Sequence, residues 1–343
     1  MSLNEIVTGL AGAVGPAGAE GSAARLALSL LSDYAAVRQD ALGSVIAEMG
    51  DQNAAEHILL DAHIDEIGLI VTCVDDKGFL HVDRTGGVDR RVLAGAEVYV
   101  LGRKKLCGVV CSTPPHLQTG SDGKVPDWDG IYIDIGDPAD KAKELVSPGT
   151  RAVVRSKPVQ LLGSRIAGKS LDDRAGVAAL IRVVELLEPE SDRLPCRLTI
   201  LFSAQEETGG NGAATAAFST EPTQAIAVDA GFGRQPGAPR EKTGDLGKGP
   251  MIGDSPVLDR EITLRLRELA DLSGIDWQYD IMGGTTGTNA DDIALSRGGV
   301  RTGLVSIPVR SMHTAAEIAD LEDIENTARL LAEYVRTGGV SRG

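Results

Sequence analysis

A chain of 343 residues, 42% of them hydrophobic, is long enough to bury a large core and to divide into two domains. Only 3% of the residues are aromatic, so Leu, Val, Ile and Ala must fill that core, and 42 glycines point to many tight turns. Asp and Glu outnumber Lys and Arg by 49 to 34, and the resulting formal charge of −15 excludes a basic surface for nucleic acid. There is no run of about 18 uncharged apolar residues, so no membrane partner is expected. Asn4 and Glu5 interrupt the mildly apolar start and no basic segment precedes it, which speaks against a signal peptide. Cys73, Cys107, Cys111 and Cys196 form no CxxC pair. They read as reduced core thiols of a cytoplasmic protein, with Cys107 and Cys111, four apart, facing one core.

In chain order, the 3–4 spacing of SAARLALSLLSDYAAVRQD predicts one amphipathic helix over 22–40. HILLDAH (57–63) is a short apolar run, the pattern of a strand buried on both faces. From about 67 to 163 the texture is all β: GLIVTCV, GFLHVD, AEVYVLG, LCGVVCS, GIYIDIG and RAVVRS, divided by glycines. That spacing suits a small barrel or sandwich. One helix interrupts it at DPADKAKELV (137–146), with Asp137 as N-cap and Pro138 in the first turn. After residue 165 the order is helix (DRAGVAALIRVVELLE), strand (RLTILFSA), strand (QAIAVDA), helix (TLRLRELADLSG), strand (RTGLVSIPV) and a last helix over 321–336. Strand–helix alternation on both sides of a β-only block predicts an α/β sheet domain (1–66 and 164–343) interrupted by a β-rich domain (67–163). No internal repeat or low-complexity run is present.

Chemistry collects at the carboxyl ends of the apolar strands. The first ends in DAHID with His63 and Asp65, the second in SAQEE with Glu206 and Glu207, the third in AVDAG with Asp229. The fourth leads into VRSMH with His313, and SLDD places Asp172 and Asp173 at the start of a helix. Adjacent residues of a strand point to opposite faces, so Glu206 and Glu207 are expected to do separate work. Singly, each residue has a structural reading. His63 could be a hydrogen-bonded core histidine, Asp172 or Asp173 a helix cap, Asp229 a partner for strand-end amides, and Glu206–Glu207 a solvated face. His313 precedes TAAE, which has the form of a capping box. Jointly, two His and at least three carboxylates on the rim of an open α/β sheet, where such sheets bind ligands, call for a compensating cation. Imidazole with carboxylate suits zinc, cobalt or manganese. Five ligands exceed one tetrahedral site with an open position, whereas two metals bridged by one carboxylate use them all.

DAHIDEIGLIV, GKSLDDRAGVAAL, AQEETGGNGAATAAF, AVDAGFG, LGKGP and SIPVRSMHTAAEIADLEDIEN occur in that order from about residue 57 to the C-terminus. Together they resemble the tetrahedral, or glutamyl-type, dinuclear metallo-aminopeptidases, some of which carry an endoglucanase label. PPHL (114–117) and GGVDRRVLAG (86–95) look similar to the same family. The resemblance implies a zinc-aminopeptidase-like α/β domain with an inserted small β-barrel (PDZ-like) domain that pairs subunits, and assembly into a hollow tetrahedral dodecamer. It implies peptide substrates and two divalent ions per subunit that share a bridging hydroxide. His63 and His313 would be terminal ligands of different metals and Asp172 the bridging carboxylate, with Glu207 on one metal and Asp229 on the other. Glu206 would be the general base and Asp65 the residue that orients His63, a role that i, i+2 spacing along a strand also supports. A cis peptide after Asp172 is implied as well.

The chain departs from the family's usual pattern at TGGNGA after the glutamates, at the polar and acidic GGTTGTNADDIA (283–294), and at Ser311 in place of an aromatic residue. These touch substrate choice rather than the ligands. GGTTGT lacks the Lys of a phosphate-binding loop and reads as a turn lining the substrate cleft. His116 lies in the inserted domain and is expected to be a loop residue. Two other functions stand beside aminopeptidase. A glycosidase uses paired carboxylates but has no need of two histidines, and a non-catalytic metal-binding homologue has no need of Glu206.

Overall fold

The computed structural model describes residues 1–112 and 125–340, so PPHL, with His116, lies outside the described residues. Helix α1 (Leu3–Gly12) starts at Ser2, whose side chain and that of Glu5 form a capping box, and α2 (Gly21–Leu31) packs beside it. The hairpin β1 (Ala36–Gln39) and β2 (Val45–Gly50) follows, then β3 (His57–His63), buried along its whole length. The predicted helix over 22–40 therefore stops at Leu31. Residues 36–39 instead pair antiparallel with β2, and Asp40 closes the turn by accepting the Leu42 and Ser44 N–H groups. Strand β2 needs a partner on its open edge, and that tertiary demand overrides the local spacing.

Strands β4 (Gly68–Val74), β5 (Leu80–Thr85), β6 (Glu97–Leu101), β7 (Lys105–Val110), β8 (Tyr132–Asp134) and β9 (Arg151–Val154) close into an antiparallel barrel in the order β4-β5-β8-β7-β6-β9. Its core of Leu69, Leu80, Val98, Val100, Ile133 and neighbours is separate from the main one. Helix α3 (Ala139–Leu145) lies where the sequence places it, but Pro138 is its N-cap. Asp137 makes no cap bond and pairs instead with Lys141 at 2.6 Å. All four cysteines are free, yet only Cys196 is buried. Cys107 points out of β7 by alternation, and an irregularity between Val71 and Cys73 turns Cys73 outward. The expectation of core thiols fails for the barrel because its small interior admits only every second residue.

The chain returns through β10 (Val159–Gln160) and β11 (Arg165–Gly168) into α4 (Leu171–Leu187), apolar nearly all round and buried against α1, β3 and the C-terminal helix. Strand β12 (Arg197–Ser203), α5 (Asn211–Thr220), β13 (Gln224–Phe232), β14 (Met251–Asp254), α6 (Arg260–Leu272), β15 (Gln278–Ile281), α7 (Asn289–Ala294), β16 (Arg301–Val309), β17 (Glu317–Asp320) and α8 (Leu321–Arg336) complete the chain. The eight-stranded sheet runs β1-β2-β12-β3-β13-β16-β14-β15. Its four central strands β12, β3, β13 and β16 are parallel, so their carboxyl ends share one edge. The chain goes from β3 to β12 on one side and to β13 on the other, which opens a crevice at that edge. Among the described residues no helix is long and apolar enough to cross a membrane.

His57 opens β3 at 5% exposure, its Nε2 2.8 Å from Thr199 Oγ1. Burial first, then the Arg197 charge, push its imidazole down to about 4. The unfolded chain therefore binds a proton that the fold refuses between the ordinary histidine value and about 4, and stability falls as pH drops through that window. Melting curves of wild type and His57→Gln should converge toward lower pH, the variant losing less. A gap independent of pH between 7 and 4 would show that His57 is not responsible.

Candidate metal centre

His63 is the last residue of β3, and Asp229 stands in β13 two strands from β12. His313 follows β16, and Asp172 enters α4 with non-helical backbone angles before a cis Asp172–Asp173 bond. The four segments meet at the carboxyl edge of the parallel strands. Asp172 is the hub: its Oδ1 lies 3.0 Å from His63 Nε2 and its Oδ2 3.1 Å from His313 Nε2. His63 Nε2 is 3.8 Å from Asp229 Oδ1, and His313 Nε2 is 3.4 Å from Glu207 Oε1. Two groups result, His63–Asp172–Asp229 and Asp172–Glu207–His313, each with its donor atoms within 4.8 Å of one another.

Both imidazoles are held alike from behind. His63 Nδ1 donates to the Asp65 carbonyl at 3.2 Å, and His313 Nδ1 to the Gly87 carbonyl at 3.1 Å. That fixes the tautomer and turns each Nε2 inward, the arrangement of a ligating histidine. The Asp65 carboxylate is 3.5 Å from His63 Nδ1, but its oxygens accept the Glu206 and Glu207 N–H groups at 3.0 and 3.1 Å. Strand β12 ends at Ser203 and the two glutamates lie on a short 3₁₀ turn, so strand alternation does not separate them. Asp65 holds that turn. Glu207 enters one donor group; Glu206 enters neither. Asp173 serves as a helix cap instead, its Oδ1 accepting the Gly176 N–H at 3.0 Å.

The electrostatics of the cluster ask for positive charge. Burial, followed by the Asp172 charge, pushes Glu207 up to about 8. Burial also raises Asp229, against the pull of His63, and raises Glu206. Burial would raise Asp172 too, but hydrogen bonds from His313 and His63 outweigh it and hold that carboxyl below its ordinary range. The Asp172 hydrogen bond in turn lifts His313 to about 9. Without a metal the site gathers protons; a divalent cation satisfies the same donors. Two groups of three nitrogen and oxygen donors, sharing Asp172, fit zinc-type ions with positions left open.

Four contributors were not among the predicted site residues. Gly86 and Gly87 follow β5 of the barrel and lie against Glu207 and His313 respectively, and their signal was the family-like segment GGVDRRVLAG. Glu317 accepts the N–H groups of both Asp172 and His313. Its signal was the capping-box pattern TAAE: no helix follows, yet the glutamate still reaches back. Asp61, two residues before His63, is fully buried, accepts from the Asn289 amide at 2.8 Å, and is pushed up to about 7 by burial.

An open α/β sheet with this donor set at its rim has the parts that metal-assisted hydrolysis needs. Residues 43–330 match the family described as M42 glutamyl aminopeptidase, and the chain belongs to that family. A lysyl aminopeptidase of Pyrococcus furiosus is 34% identical over 313 residues, covering 89% of this chain and 88% of its own. The Pyrococcus horikoshii TET1 peptidase, described as assembling into a tetrahedron or a large octahedral shell, superposes with a TM-score of 0.87 at 32% identity, covering 97% of this chain and 99% of its own. A Thermotoga maritima structure titled endoglucanase superposes with a TM-score of 0.79 at 29% identity, covering 97% of each chain.

A β-carbon at Gly87 would collide with the His313 ring. Gly87→Ala should therefore displace His313 and weaken zinc binding by roughly 10–100-fold. Zinc titration of the metal-free protein reads this out, and an unchanged titration would separate the barrel from the centre.

Proposed function

We propose that the protein is an aminopeptidase that removes N-terminal residues from peptides with two divalent ions, zinc foremost and cobalt or manganese as alternatives. The observation that carries this is Asp172, one oxygen on each imidazole, shared by two donor groups. His63, Asp229 and Asp172 would hold one ion and Glu207, His313 and Asp172 the other. Bound there, the ions would supply Lewis-acid polarisation of the scissile carbonyl and lower the pKa of a water.

The protein's own residues do the rest. Glu206 stands beside the ligand Glu207, outside both donor groups, on a turn clamped by Asp65. Burial raises its carboxyl, which suits a general base near neutral pH. Its carboxylate takes the proton of the attacking water as the C–O bond forms, then delivers it to the leaving amine as the C–N bond breaks. The acidic rim accommodates a protonated substrate α-amine. An endoglucanase activity like that ascribed to the Thermotoga maritima neighbour gains no support from the donor set, because glycosidase chemistry leaves two histidines without a task. A non-catalytic metal-binding role leaves Glu206 without one.

The PDZ-like barrel would pair subunits on the way to a tetrahedral shell, as the horikoshii relative's title supports. Light scattering should find an assembly, and a lone chain at micromolar concentration would rule this out. The four unpaired cysteines suit a reducing compartment such as the cytoplasm.

Chelation should abolish release of amino acids from aminoacyl-nitroanilides, and about two ions per chain should restore it. Glu206→Gln should keep both ions while turnover falls by roughly 10²–10⁴. Glu207→Gln should lose one ion and recover partly in excess metal. The reverse pattern would exchange the two roles, and no effect from either would overturn the reading.

A further inference from the structure

Glu317 begins β17 at 2% exposure. Gly168 of β11 pairs with it across the sheet, which sets it beside the entry to α4. Its carboxylate faces two main-chain donors from distant parts of the chain: Oε1 accepts the His313 N–H at 2.8 Å and Oε2 the Asp172 N–H at 3.0 Å. No Lys or Arg among the described residues forms an ion pair with it. His313 needs such a hold, because its φ of +63° lies in the left-handed region that a β-carbon disfavours. A carboxylate satisfies both amide donors with separate oxygens, at the cost of a further negative charge next to Asp172 that a bound cation would offset.

Resting on the dinuclear reading above, we propose that Glu317 is a positioning residue for both halves of the metal centre. It fixes the main chain of the shared donor Asp172 and of the terminal donor His313 with one carboxylate. Its charge, just outside the donors, strengthens their grip on divalent cations, as the carboxylates behind metal-binding groups do elsewhere. Because Asp172 serves both ions, a shift at Glu317 is felt at both positions.

Glu317→Gln keeps the length but sets an amide NH₂ against one of the two N–H donors and removes the charge. Glu317→Asp keeps charge and both acceptors on a shorter arm. Metal-free protein of each kind is titrated with zinc and with cobalt, following the cobalt visible absorption, and is melted without metal. Glu317→Gln is expected to weaken binding of both ions by roughly 10–100-fold and to alter the cobalt absorption. Its metal-free melting temperature should change little, because relief of the charge facing Asp172 offsets the mispaired N–H. Glu317→Asp should recover part of the affinity. A purely structural glutamate predicts the opposite: a lower metal-free melting temperature with affinity and absorption unchanged, and that result would overturn the proposal. Should wild type bind one ion rather than two, the dinuclear reading fails, and the change in affinity for that one ion still decides the role of Glu317.

Discussion

The structure depends on crowding carboxylates where burial and mutual repulsion both work against their charge. Asp172, Asp173, Glu206, Glu207, Asp229 and Glu317 converge with two imidazoles, those of His63 and His313. Glu207 and Glu317 are both pushed up to about 8, burial first and the Asp172 charge second. Isolated buried charges cost several kcal/mol each, so such a cluster persists only if the fold holds each member independently of the others. It does so with backbone donors. Asp65 takes two amides of the glutamate turn, and Glu317 takes those of Asp172 and His313. The scaffold is thus assembled in advance of the cation.

That scaffold is not confined to the α/β sheet. The Gly87 carbonyl that aligns His313, and Gly86 against Glu207, come from the loop after β5 in the barrel. A shift of the barrel relative to the sheet would therefore be felt at one donor group and not at His63, whose backing comes from Asp65. A second tie lies deeper: Lys169 pairs with Glu66 at 2.6 Å and reaches the Ala13 carbonyl at 3.1 Å, joining the entry to α4 with the loop after α1. Burial lowers that ammonium against the pull of Glu66, so the pair holds at a cost.

The sheet and the donors were legible because they obey short-range rules. HILLDAH, RLTILFSA, QAIAVDA and RTGLVSIPV are apolar runs of strand length, and chemistry at their ends is where parallel sheets put it. What failed depended on partners distant in sequence. Residues 36–39 became a strand because β2 pairs with them, and Cys107 faced solvent because the barrel interior is narrow. Strand alternation gave Glu206 and Glu207 separate faces, but the strand stops three residues earlier and a turn separates them instead. Glu317 showed only as part of the TAAE pattern, because its partners are two backbone amides rather than side chains.

The polar segment 283–294 shows how far composition stands from a binding surface. It contains two adjacent aspartates, but the Asp291 oxygens accept the Thr286 and Gly287 N–H groups of the segment's own loop. Asp292 lies against Gly210, just after the glutamate turn, where a β-carbon would strike it. Asn289 is buried and turned toward Asp61 and Ser203. Asp291 closes the loop, Asp292 packs on a glycine and Asn289 donates to a buried carboxyl, so each already has a partner within the protein. The acidity of this segment follows from the need to shape the turn beside Glu207, so substrate preference must be sought in the groups that this turn leaves facing the cleft.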